Sequence, residues 1–153
     1  ALFEWRGDTE GMEVGRRVAD GRGAALVIDY GHTESGIGET FQAVGRHAYA
    51  DPLTAPGALD LTAHVDFQAL SRAVEAMGAK GFGPIEQSQF LRRLGIEQRA
   101  AALKAKAARA GDIDQALARL IGRERTAMGE LFKVAAFVHP SIGPPPGFEA
   151  ATS

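Results

Sequence analysis

Residues 24–32 read Ala24-Ala25-Leu26-Val27-Ile28-Asp29-Tyr30-Gly31-His32. An unbroken apolar run that ends on a carboxylate suits a β-strand covered on both faces, as in a parallel sheet. The segment before it, Asp8–Asp20, has helical character: Asp8 or Thr9 stands where a cap is needed, and Val14 and Val18 share a face. Gly21-Arg22-Gly23 stops that helix. Helix, glycine turn and buried strand make half of a βαβ unit, which points to an α/β domain.

Downstream, Gly31–Thr40 reads as a loop and Phe41–Tyr49 as a second, edge-like strand. Asp51–Gly57 carries Pro52 and Pro56 and is expected to be loop. Asp66 is placed to cap a helix over Phe67–Met77, with Leu70, Val74 and Met77 at helical spacing and Gly78 at its end. Lys80–Ile85 is short, extended and rich in glycine. Phe90, Leu91 and Leu94 then form a helical stripe ended by Gly95, and Ala100–Ala110 reads as an alanine-rich helix. Asp112 or Asp114 starts another helix, with Ala116, Leu117 and Leu120 inward and Gly122 as its stop. Leu131–Val138 is the second convincing strand, ended by His139-Pro140. Ser141–Ser153, with Pro144-Pro145-Pro146, reads as a Pro-rich tail. Whether the two best strands pair parallel or antiparallel stays open on these grounds.

The totals restrict function. The chain has 153 residues, 45% apolar and 24% charged, with a net charge of −2. Lys and Arg form no block, so nothing suggests a nucleic-acid or anionic-membrane partner. The absence of cysteine excludes disulfides, cysteine nucleophiles and thiolate zinc sites. No apolar run approaches the roughly 18 residues of a membrane span. Ala1-Leu2-Phe3-Glu4-Trp5 begins inside what reads as structured sequence, so the chain is expected to be part of something longer.

Open α/β sheets bind ligands beyond the carboxyl ends of their strands, where Asp29, Tyr30 and His32 stand. A carboxylate there can orient a cation or hydroxyl, tyrosine can stack or donate a hydrogen bond, and Gly31 lets backbone approach a ligand. The plainer reading makes Asp29 a loop cap and Tyr30 a gap filler. The run Asp60-Leu61-Thr62-Ala63-His64-Val65-Asp66-Phe67 gathers two carboxylates, a hydroxyl and an imidazole before a helix. There Asp66 is first of all an N-cap, and His64 is either an acid, base or ligand or an ordinary histidine. A metal site drawn from His32, His47, His64 and Asp66 has no HxxxH or HExxH spacing behind it, so no metal is expected. Gly36-Ile37-Gly38 lacks a third glycine and does not lead straight into a helix, so it is not read as a phosphate loop.

Four segments together resemble one family: Ala24–His32, Thr40–Asp66, Gly83–Arg99 and Met128–Pro140. The telling parts of the middle two are Thr40-Phe41-Gln42-Ala43-Val44, His47, Asp60–Phe67, Gly83-Pro84, Gln87, Phe90-Leu91, and Leu94-Gly95-Ile96 with Arg99. The chain resembles the MidA-type methyltransferases, whose mitochondrial members assist assembly of respiratory complex I. Phe41 stands where leucine is usual, and Ser88 where glycine is common.

The resemblance implies an α/β fold: the carboxyl-terminal half of a Rossmann-like class I methyltransferase sheet. It makes the strand ending at Asp29 the fifth, Lys80–Ile85 the sixth and Leu131–Val138 an antiparallel seventh. Residues 1–140 are then methyltransferase domain, with 86–122 a helical insertion, and 141–153 the tail. It implies S-adenosylmethionine as cofactor, with the glycine loop and ribose-binding acid upstream of Ala1, in a missing amino-terminal half. The implied acceptor is a protein arginine, possible partners being respiratory-complex subunits. The location implied is cytoplasmic in bacteria and mitochondrial in eukaryotic relatives.

A guanidinium acceptor needs carboxylates to align its planar fork. On the implied chemistry Asp29 and Asp66 take that role, and His64 receives the proton after transfer. Tyr30, Gly31, His32, Gln42 and Thr62 are expected to line the acceptor pocket. Two rivals remain. A non-catalytic assembly module would use the helical segment as its surface. A dinucleotide-binding fragment of a dehydrogenase would need a GxGxxG turn, which this sequence lacks.

Overall fold

The computed structural model describes residues 8–38, 40–45, 48–54, 57–106, 108–124 and 126–149. Helix α1 (Thr9–Gly21) leads through Arg22 and Gly23 into β1 (Ala24–His32). The strand runs past Asp29, so Tyr30, Gly31 and His32 belong to it. A small antiparallel sheet follows, made of β2 (Gln42–Gly45), β3 (Ala48–Ala50) and β4 (Asp60–Thr62) in the order β3-β2-β4. The single strand expected over Phe41–Tyr49 is thus divided into two antiparallel strands. A short β5 (Val65–Asp66) enters α2 (Phe67–Glu75) directly. β6 (Lys80–Glu86) enters α3 (Gln87–Arg93) in the same way.

Helices α4 (Ile96–Lys104) and α5 (Ala110–Ile121) then precede β7 (Phe132–Val138). Helix α4 ends before the Ala100–Ala110 expectation does. Its reversal lets α5 return beside it, and the pair is tied by Lys104 Nζ and Asp114 Oδ1 at 2.7 Å. Along α5 the inward residues are Leu117, Leu120 and Ile121, whereas Ala116 is exposed.

The main sheet has the order β5-β1-β7-β6. β1 pairs parallel with β5 and antiparallel with β7, and β6 is antiparallel to β7. The fold is therefore mixed α/β on a mixed sheet. The orientation question is settled residue by residue, from Ala24 opposite Val138 to Tyr30 opposite Phe132. The last strand is antiparallel, as the resemblance implies.

Strand periodicity divides the core in two. On one face Ala135 and Phe137 of β7 pack with Val18 of α1, Phe67 and Val74 of α2, and Ala79, flanked by Ala25 and Val27 of β1. On the other, Val134 and Ala136 meet Phe90 of α3 and Phe148, whose rings lie 5.4 Å apart. Phe148 brings the Pro-rich segment back onto α3, and Arg93 Nη1 donates to the Gly147 carbonyl at 3.1 Å.

Two features depart from the sequence reading. Within this chain β1 is covered on one face: Leu26 is 51% and Ile28 45% exposed on the other. Val14 and Val18 of α1 both face the same core, as their spacing implies, but the fully buried positions of the helix also include Gly11 and Gly15. A β-carbon at Gly15 would stand 2.3 Å from the Val74 carbonyl oxygen, so glycine is what brings α1 close to α2. Among the described residues no helix is long and apolar enough to cross a membrane.

Candidate functional site

The carboxyl end of β1 carries the candidate residues, and strand alternation sorts them onto two faces. Tyr30 and His32 point one way. Asp29 shares the opposite face with Ala25 and Val27, and Gly31 has the same parity.

Around Tyr30 an aromatic group forms. Its ring meets Phe132, its cross-strand partner, at 5.7 Å and 84°. It meets His64 at 5.8 Å and 64°. Both contacts are edge-to-face, the arrangement ring quadrupoles favour. His64 is anchored by its backbone N–H, which donates to Thr40 Oγ1 at 3.2 Å.

His32 and Asp66 lie opposite each other in the β1–β5 pairing. His32 Nε2 is 3.7 Å from Asp66 Oδ2, with side chains 30% and 13% exposed. The Ala69 N–H donates to Asp66 Oδ1 at 2.9 Å, so Asp66 is the cap of α2 as well as a neighbour of His32. Gly31 makes this juxtaposition possible. A β-carbon there would lie 2.2 Å from the Val65 carbonyl oxygen and 2.9 Å from the Phe67 ring. The loop after β1 is tied to the same helix, since the Ser35 N–H donates to Gln68 Oε1 at 3.0 Å.

Asp29 stands apart from this group. Its Oδ1 accepts the Tyr30 N–H at 2.8 Å. Across the sheet it is paired with Lys133, which is paired in turn with Glu86. The Lys133 ammonium donates to the Glu130 carbonyl oxygen. Burial pulls Lys133 below the ordinary lysine range, against the opposing pull of Glu86 and Glu130. Arg123 bridges those two carboxylates, at 3.5 Å to Glu86 and 2.9 Å to Glu130. Asp29 therefore belongs to a row of alternating charge. Its side chain lies on the face of β1 opposite to Tyr30 and His32.

Gln42 and Thr62 face each other across β2 and β4. They are two residues from Thr40 and His64 respectively, at the root of the small sheet. Thr62 Oγ1 is buried and makes no hydrogen bond to the described residues. Among the described residues no group of three His, Asp or Glu side chains is arranged to hold a metal. His47, the fourth member of the metal set weighed above, lies outside the described residues.

Phe132 and Lys133 are the residues that sequence reading missed. Their only signal was an aromatic and a base at the start of the last strand. Neither gains meaning until antiparallel pairing sets them opposite Tyr30 and Asp29.

Comparison with known proteins gives this arrangement a context. The rat mitochondrial protein arginine methyltransferase NDUFAF7 is 43% identical over 101 residues, 66% of this chain and 22% of the rat protein. The human protein of the same name is 45% identical over 87 residues, 57% of this chain and 19% of its own. The chain thus spans about a fifth of the length of these curated relatives. A Burkholderia thailandensis protein solved with bound S-adenosyl-homocysteine superposes with a TM-score of 0.74 at 32% identity, covering 94% of this chain and 36% of its own. A second crystal structure from that organism gives a TM-score of 0.76, also at 32% identity, covering 94% of this chain and 38% of its own. A family model for S-adenosyl-L-methionine-dependent methyltransferases matches residues 9–85, just over half of the chain. The chain belongs to this family of S-adenosyl-L-methionine-dependent methyltransferases.

Proposed function

We propose that this chain works as the acceptor-side portion of a methyltransferase acting on a protein arginine, with the cofactor's cradle held by residues outside it. The observation that carries the reading is the grouping of Tyr30, His32, His64 and Asp66 at the carboxyl end of β1. The names of the mammalian relatives support arginine as the acceptor. The strand-to-helix junctions support a cradle for S-adenosylmethionine outside this chain. Both strands that enter helices do so directly, Asp66 into Phe67 and Glu86 into Gln87, with no glycine turn to approach a ligand. Bound elsewhere in the protein, the cofactor supplies an electrophilic methyl group.

This chain's residues then bind and orient the acceptor. Asp66 Oδ2 aligns a guanidinium N–H while Oδ1 keeps the helix cap. The His64 ring takes the proton that the acceptor nitrogen loses. Tyr30 and His32 line the approach, and Gly31 keeps β1 and β5 close enough to bring His32 to Asp66. Asp29 acts through Tyr30, whose backbone it holds. Gln42 and Thr62 support the segment that carries His64.

Asp66→Asn tests this in the complete protein. Asparagine keeps an oxygen for the Ala69 N–H, so the fold is retained, while the charge is lost. Turnover of an arginine peptide, as kcat/KM, is expected to fall by about 10- to 100-fold, the worth of a charged hydrogen bond. S-adenosylmethionine affinity is expected to stay unchanged. Wild-type turnover in this variant would remove Asp66 from the acceptor site. An intact protein that binds cofactor yet methylates no acceptor would favour an assembly module.

A further inference from the structure

We infer that Thr40 is a positioning residue for His64: its hydroxyl continues the β2–β4 contact past the end of the ladder and fixes the backbone from which the His64 ring meets Tyr30. The inference rests on the reading above, in which His64 takes the acceptor's proton, and names the group that sets His64 in place.

The register of the small sheet is the first ground. β2 and β4 pair Val44 with Asp60, Ala43 with Leu61 and Gln42 with Thr62. Carried two residues further, that register sets Thr40 opposite His64. The two are 24 residues apart in sequence and stand at the two ends of the segment that forms the sheet. Neither belongs to a strand. The His64 N–H nevertheless donates to Thr40 Oγ1 at 3.2 Å, so a side-chain hydroxyl makes the cross-strand contact where the ladder has ended.

The second ground is what lies on the other side of His64. β5 begins at the next residue, and its pairing with β1 sets Val65 opposite Gly31 and Asp66 opposite His32. Ala63 and His64 therefore bridge β4 to β5 outside both ladders. The His64 ring meets Tyr30 at 5.8 Å and 64°. His64 is thus held at its backbone by Thr40 and at its ring by Tyr30. Both contacts join atoms of this chain and do not depend on what covers them.

Threonine suits the task, because its branched β-carbon restricts χ1 and gives Oγ1 a set direction. A proton acceptor must lie within hydrogen-bond reach of the proton it takes. A residue that touches no substrate can therefore change the rate by moving the imidazole.

The experiment is a double-mutant cycle on methyl transfer by the complete protein, with kcat and KM followed separately on an arginine peptide. Thr40→Val keeps the branched shape and removes the hydroxyl. Its kcat is expected to fall about 5- to 50-fold, short of the roughly 100-fold that displacing a reacting group by about 1 Å costs. KM for the peptide and for S-adenosylmethionine are expected to stay within about twofold, since Thr40 binds neither. Thr40→Ser is expected to restore kcat. His64→Gln is expected to lower kcat by at least about 100-fold. In that background Thr40→Val should change kcat by less than about twofold, because no imidazole is left to place. A threonine with a merely structural role would lower kcat alike in both backgrounds, and that result overturns the inference. Wild-type kcat in Thr40→Val also overturns it and leaves the acceptor-side reading standing. Wild-type kcat in His64→Gln overturns the proton-accepting role of His64 and the inference with it. Should the valine variant fail to fold, Thr40→Ala against Thr40→Ser makes the same comparison, and equal kcat in those two overturns the inference.

Discussion

Replacing Phe67 with alanine is expected to destabilise the chain by about 3–5 kcal/mol. Phe67 is fully buried and is the first residue of α2, one position after the Asp66 cap. It belongs to the core cluster of Val18, Val74, Ala79, Ala135 and Phe137, which joins both helices of that face to β7. Truncation removes the transfer energy of the ring and leaves a cavity between elements that cannot all collapse into it. Domains of this size are stable by only about 5–15 kcal/mol, so the loss takes about a fifth or more of the total. Urea unfolding at neutral pH checks it. A loss below about 1 kcal/mol would mean that the ring is not the centre of this core.

The second large effect is at Gly31, where alanine is expected to cost about 1–3 kcal/mol and to damage the acceptor site as well. The added β-carbon has no room: the nearest atom is the Val65 carbonyl oxygen at 2.2 Å, followed by the Phe67 ring at 2.9 Å. A side chain could turn aside, but the carbonyl is backbone in the neighbouring strand. β5 must therefore move away from β1. That motion separates His32 from Asp66, which are opposite residues of the same pairing. Gly31→Ala should thus lower both the urea midpoint and methyl transfer in the complete protein. Adding Phe67→Ala should not rescue it, because the carbonyl remains. A Gly31→Ala protein with wild-type stability and turnover would show that the β1–β5 contact is not what holds the site.

Much of the framework was legible in the residues themselves. The apolar runs of Ala24–Ile28 and Val134–Val138 mark the two central strands, and the Asp66 cap before Phe67 marks the start of α2. What failed follows from what a single sequence encodes weakly. An unbroken apolar run does not say which segments cover each face, and within this chain Leu26 and Ile28 are exposed. Alanine favours helix at any length, so Ala100–Ala110 read as one helix. The return of α5 beside α4 imposes a stop at Lys104 that propensity does not contain.

The site shows the same division. Its location at the end of β1 was readable, because a carboxylate, tyrosine, glycine and histidine follow an apolar run. Its grouping was not. Asp29 and His32 are three residues apart in sequence, but the twofold period of a strand sends them to opposite faces. Asp66, far away in sequence, is the carboxylate that meets His32. Phe132 joins Tyr30 only through a pairing between strands about a hundred residues apart, which no local pattern announces. Gly11 and Gly15 were invisible for a related reason. Search for an apolar stripe finds Val14 and Val18, whereas the closest approach of α1 to α2 is built on the absence of a side chain.

The central claim is that this chain carries the acceptor side of the pocket and that the cofactor is held elsewhere. Calorimetric titration of S-adenosylmethionine into the 153-residue chain tests it most directly. The expected result is no saturable heat at millimolar cofactor, with binding present in the complete protein. Micromolar binding to the chain by itself would contradict the account and place the cradle among residues assigned here to the acceptor.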